Sequence, residues 1–175
     1  MNVLSELASL IKQRNLLERE ITHLIDRPAN NGHIGEFVTS RIFNIILKES
    51  ASNKGFDGYF TVPPLKDRSV NIKWFAKIEG LLDINPNSLP DYFLVLTGPK
   101  TSAVSSRGQF HPWVINFVYL FDSRQLMQNL GSRNLKIGIV TCVQKHLWDN
   151  AEIFPAHNTL LEISQDQREE LQLFS

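Results

Sequence analysis

Three short stretches place polar side chains where packing alone would not ask for them. Glu36 sits in an apolar helical run, Asp57 in Gly55-Phe56-Asp57-Gly58, and Asn71 and Lys73 in Val70-Asn71-Ile72-Lys73-Trp74-Phe75. Asn71 and Lys73 are two apart, so in a strand they point to the same face. Sixteen positions separate Asp57 from Lys73, enough for two antiparallel strands to bring their side chains into one neighbourhood. A carboxylate, an amide oxygen and an ammonium then converge. Mg²⁺ takes hard oxygen ligands and keeps several waters. An ammonium beside it can orient the attacking water and stabilise charge on a phosphate during hydrolysis. Each residue also has a plainer reading. Asp57-Gly58 is a hairpin signature, Lys73 suits a solvated edge strand, and Glu36 suits a helix face turned to water.

These residues need elements to hold them. Leu4, Leu7, Leu10, Ile11, Leu17, Ile21, Leu24 and Ile25 recur at three- and four-residue steps and predict an amphipathic first helix, which Pro28 stops. It either packs on its own domain or pairs with a second copy of the chain. A second helix is expected over about Ile34 to Lys48, with a stripe of Ile34, Phe37, Val38, Ile42, Ile45 and Ile46 and with Glu36 at its margin. Strand-like runs follow at Gly58 to Val62, Val70 to Phe75, Asp91 to Thr97 and Trp113 to Phe121. The run Tyr92-Phe93-Leu94-Val95-Leu96 is apolar throughout, as in a strand buried on both faces. A helix over Ser123 to Leu130, stopped by Gly131, and a strand over Leu135 to Val143 complete the order. Residues 165–173 read as a short helix or a loose tail. The expected fold is α/β, a mixed central sheet flanked by helices. Residues 1–28 form the N-terminal helix and residues 29–175 a single domain.

Gly35-Glu36 in a helix, then Asp57, then Asn71-x-Lys73 followed by an aromatic residue, resembles the PD-(D/E)XK nuclease superfamily, which contains restriction endonucleases and junction resolvases. The resemblance implies a restriction endonuclease-like core running α, β, β, β, α, β over about Gly32 to Val143. It implies that Glu36 and Asp57 bind metal, Mg²⁺ or Mn²⁺, and that Lys73 is catalytic. The acid that the pattern puts two residues before the lysine is Asn71 here, and Phe56 stands where a proline is usual. An amide oxygen can ligate a cation but brings no charge, which weakens the Coulomb attraction. The implied activity is metal-dependent hydrolysis of DNA phosphodiester bonds by a restriction-type endonuclease. The alternatives are a catalytically impaired nuclease fold that binds DNA or a protein partner without cutting, and a structural dimer domain.

Lysine plus arginine and aspartate plus glutamate both number 18 in the 175 residues, so the chain carries no wholesale basic coat. A local rim remains possible for DNA: Lys54, Lys66, Arg68 and Lys77 around the candidate site, with Lys100 and Arg107 in a nearby loop. The five histidines show no paired zinc spacing, although His33 lies close to Glu36. Cys142, the single cysteine, falls in an apolar run and reads as a buried, inert thiol in a reducing compartment. No secretory signal and no apolar run of about 18 residues is visible, so a cytoplasmic protein that does not cross a membrane is expected. Glu170-Leu171-Gln172-Leu173-Phe174 resembles the peptides that dock on bacterial sliding clamps, and it equally suits an amphipathic end packed on its own domain.

Overall fold

The computed structural model describes residues 2–49, 55–76, 80–100, 112–131, 137–138 and 140–175. Helix α1 runs Val3–Ile25. Its first turn is capped by the Asn2 side chain, which accepts from the Leu4 amide, and it ends at Asp26 in the left-handed region. Helix α2, Asn31–Ile42, is capped in the same way by Asn30. It is shorter than its periodicity suggests. Asn44 takes a positive φ of 53°, and the β-branched pair Ile45-Ile46 opens strand β1, Ile45–Leu47, instead of a last helical turn.

Strands β2 (Gly58–Phe60) and β3 (Ser69–Phe75) continue an antiparallel meander from β1. Strand β5, Tyr92–Thr97, then lies parallel to β3, and β6 (Phe117–Asp122) and β8 (Glu152–Phe154) follow antiparallel. The six-stranded order is β1-β2-β3-β5-β6-β8. A separate two-stranded ribbon joins β4, Leu81–Leu82, to β7, Thr141–Cys142. Helices α3 (Ser123–Gly131), α4 (Lys145–Ala151) and α5 (Gln165–Gln172) complete the fold.

The sheet buries both faces, and each has its own core. Val70, Ile72, Leu94, Leu96 and Leu120 pack with Val38 and Ile42 of α2 and Leu171 of α5. Phe93, Val95, Tyr119 and Phe121 pack with Leu126 and Leu130 of α3, Trp148 of α4, and Leu82 and Ile84. This two-sided burial is why the strands read as continuous apolar runs. At Gly35 a Cβ would come within 3.3 Å of Trp74, so glycine lets α2 lie close to β3.

Two expectations are corrected here. The strand expected over residues 135–143 is reduced, where described, to Thr141–Cys142. Cys142 is exposed, because Thr141 and Val143 on either side of it turn inward. Of the two readings of the terminal segment, the structure has the short helix, α5, packed on its own domain. Leu171 is fully buried, Phe174 packs against the same core, and the Phe174 carbonyl accepts a 2.8 Å hydrogen bond from Ile115. A sliding clamp would have to strip these anchors from the protein's own interior. Among the described residues no helix is long and apolar enough to cross a membrane.

Leu171→Ala should destabilise the fold by about 2–5 kcal/mol in urea unfolding. Leu173→Ala, at a side chain 80% exposed, should stay within about 0.5 kcal/mol of the wild type.

Candidate functional site

Strand β2 is shorter than β3, and the site forms where it stops. Gly58 pairs with Val70 and Tyr59 with Ser69. Beyond Val70, the β-ladder of β3 is with β5 alone among the described strands. Asp57 fills the seam. Its amide donates to the Val70 carbonyl at 2.8 Å, and its Oδ2 accepts from the Ile72 amide at 2.6 Å, so the two bonds bracket Asn71. The Asp57 carbonyl accepts from the Lys48 amide at 2.9 Å, which ties the same point to the end of β1. A Cβ on Gly58 would run into the Ile46 carbonyl, so a glycine must follow the aspartate here. Phe56 has a packing role: the Lys48 ammonium lies 3.3 Å above its ring centre, and Tyr59 meets it edge-on.

The parallel register pairs Asn71 with Phe93 and Lys73 with Val95. Both side chains therefore share the face that carries Phe93 and Val95, the face covered by α3 and α4. Asn71 Oδ1 is buried with no hydrogen-bond partner among the described residues. The Lys73 ammonium is 3.7 Å from the Asp83 carboxylate. Asn71, Lys73, Asp83, Asn85 and Gly55 line a cavity of about 140 Å³.

Glu36 lies on α2, against the opposite face, and is ion-paired with Arg27. Its influence still reaches the seam. Burial raises the Asp57 carboxyl above its ordinary value of 3.8; the Ile72 amide bond pulls it down, Glu36 pushes it up, and Lys73 and Arg27 lower it. Asp57 thus stands in a gap between the faces and feels charges from each. Asn71 and Lys73 line the cavity with Asp83, while Asp57, at the end of β2, feels the charge of Glu36 ahead of that of Lys73, and Glu36 is ion-paired with Arg27. Sequence reasoning missed Arg27 and Asp83. Arg27, immediately before Pro28, carries no signal of a site. Asp83 is marked only by alternation with the buried Leu82 and Ile84.

Among the described residues, no three His, Cys, Asp or Glu side chains gather into a ready-made metal cage. Two oxygens near the end of β2 are of the type a hard cation takes: a desolvated carboxyl, and an amide oxygen with no donor among the described residues. His33 is a capping residue, its Nδ1 2.9 Å from the Pro28 carbonyl and its amide bonded to Asn30. A second cavity, about 410 Å³, lies between the end of α2, the β2–β3 turn and α5, and none of the candidate residues line it.

Of the expected basic rim, only Lys66, Arg68 and Lys100 are among the described residues, and these three do not form one patch. Lys54, Lys77 and Arg107 fall outside the described residues. Lys66 and Arg68 precede β3, whereas Lys100 follows β5. Because these strands are parallel, the two groups stand at opposite ends of the sheet, roughly 20 Å apart. Arg68 pairs with Asp91 at 3.4 Å and Lys100 with Glu152 at 2.6 Å.

No protein-family model matches the chain, and no curated protein matches it.

The raised Asp57 pKa sets a pH dependence. A buried carboxyl of this kind contributes stability that is fully present below pH 3.8 and is lost as pH rises through its folded-state pKa. In metal-free buffer Asp57→Asn should therefore raise the melting temperature at pH 7, since the amide oxygen can still accept from Ile72. The gain should shrink as the pH is lowered toward 4, as followed by thermal melts across that range.

Proposed function

We propose that the protein is a divalent-metal-dependent endonuclease of restriction endonuclease-like fold that hydrolyses DNA phosphodiester bonds, working at the seam between β2 and β3. The observation that carries this reading is the desolvated Asp57 carboxyl at the end of β2, bonded to the Ile72 amide between Asn71 and Lys73 and within electrostatic reach of both Glu36 and Lys73. A helix followed by three antiparallel strands, with Glu36 on the helix and Asn71-x-Lys73 on the third strand, supports the nuclease-like core. The single cysteine suits a cytoplasmic setting.

In this reading Asp57 and Asn71 hold Mg²⁺ or Mn²⁺, with Glu36 contributing charge from the helix side. The bound cation supplies Lewis-acid polarisation of the phosphate and a more acidic water. Lys73 orients the attacking water and stabilises charge developing on the phosphate. Its contact with Asp83 is long and half-exposed, so an incoming phosphate can compete for the ammonium. Burial makes ionised Asp57 unfavourable without a counter-charge, which ties its carboxylate form to cation binding.

Purified protein should nick supercoiled plasmid in Mg²⁺ or Mn²⁺ and lose roughly 100-fold or more of that activity in both Asp57→Ala and Lys73→Ala. Wild-type rates in both variants would rule the site out. A second reading, a nuclease fold that binds DNA or a protein partner without cutting, is favoured by neutral Asn71 and by the Arg27 side chain that occupies Glu36. Asn71→Asp separates the two. Tighter divalent binding by calorimetry, or gained cleavage, supports the metal site; no change in either supports the non-cutting protein.

A further inference from the structure

Helix α1 is 23 residues long, roughly 34 Å, yet Ile25 at its end is its only buried residue among those described. Its apolar side chains are not scattered. Val3, Leu7, Leu10, Arg14, Leu17, Ile21 and Leu24 follow one another at steps of four and three throughout, the spacing of a coiled-coil seam. Leu4 and Ile11 widen the stripe beside it. Leu4, Leu7, Leu10, Ile11, Leu17 and Leu24 are 49 to 76% exposed, and Ile21 is partly covered. A continuous apolar stripe of this length, open to solvent, marks an interaction surface.

The geometry points to a second copy of this chain, paired through α1 in antiparallel orientation. The seam has one polar member, Arg14, at the middle of the helix. Its guanidinium bonds Glu18 of the same helix at 2.7 Å. In a parallel pair the two Arg14 side chains would share one layer, like charge against like charge in an apolar seam. In an antiparallel pair the layers become Leu7 with the second copy's Leu24, Leu10 with its Ile21, and Arg14 with its Leu17. Each Arg14 then lies beside the Glu18 of the opposite helix while its stem covers a leucine. The charged residues of α1 are Glu6, Lys12, Arg14, Glu18, Arg19 and Glu20. They sum to zero, so two copies do not repel.

The area fits a weak, concentration-dependent pair. Fully burying one such side chain removes roughly 60–120 Å² of apolar surface. Six half-exposed ones from each helix remove roughly 360–720 Å², the range of transient interfaces. The pairing uses no residue of the β2–β3 seam, so it stands or falls independently of the proposed activity.

The full chain should sediment at micromolar concentration with twice its 20.0 kDa mass. The double variant Leu10→Glu/Leu17→Glu should sediment at the single-chain mass while keeping the melting transition of the α/β domain. Orientation is read by cross-linking. In a Cys142→Ser background, oxidising a mixture of the Leu7→Cys and Leu24→Cys chains should yield the mixed disulfide far in excess of either homotypic one. A wild type that stays monomeric at 100-fold higher concentration overturns the proposal. So does a dimer that the double variant leaves intact, a dominant homotypic Leu7→Cys cross-link, or a monomer that α1 instead carries onto anionic lipid vesicles.

Discussion

The arrangement of the candidate site depends on one unfinished hydrogen-bond ladder. Strand β3 continues past the point where β2 stops, and its Ile72 amide would otherwise face a gap. A backbone donor in a half-buried position must find an acceptor. The Asp57 carboxylate supplies it, and in doing so is drawn out of water and set beside Asn71. The same bond that finishes the sheet therefore fixes a carboxyl where the charges of Glu36, Lys73 and Arg27 all reach it.

The charges around this point form a chain of partial compensations. Arg27 holds Glu36, Asp83 draws on Lys73, and Asp57 between them has no ion pair of its own among the described residues. Asn71 adds an acceptor with no donor among the described residues. Elsewhere the protein pairs comparable groups closely. Asp91 is pushed up by burial, but two hydrogen bonds from Ser69 and the nearby Arg68 and Arg124 outweigh this and hold it below the usual range. The two aspartates thus differ: Asp91 meets Ser69 at the start of β3 and is held low by several partners, whereas Asp57 meets Ile72 at the middle of β3 through one bond and is raised by burial.

Much of the scaffold was legible because its physics is local. The alternation of Val70, Ile72 and Trp74 against Asn71, Lys73 and Phe75 marked β3 and its two faces correctly. The unbroken run from Tyr92 to Leu96 marked β5 as buried on both sides. Strand β1 was hidden because Ile45, Ile46 and Leu47 extend the helical stripe of α2, and only a left-handed Asn44 breaks it. Strand β8 is three residues long and follows α4 without a turn, so no periodicity could develop. The exposure of Cys142 has no local signal, because its apolar run resembles a buried strand, whereas the two-residue ribbon it forms exposes alternate positions.

By itself, the order of residues determined that Asn71 and Lys73 share a face, that α1 is amphipathic, and that the strands lie inside a mixed α/β fold. Those properties follow from helix and strand periodicity, which acts between neighbours. Only the tertiary structure decided that Asp57 bonds to Ile72, that Glu36 sits across the sheet with Arg27, that Lys73 turns to Asp83, and that Leu171 and Phe174 are withdrawn into the core. Each of these joins segments far apart in the chain, and their pairing is set by strand register and by which apolar surfaces must be covered, neither of which has a local signature.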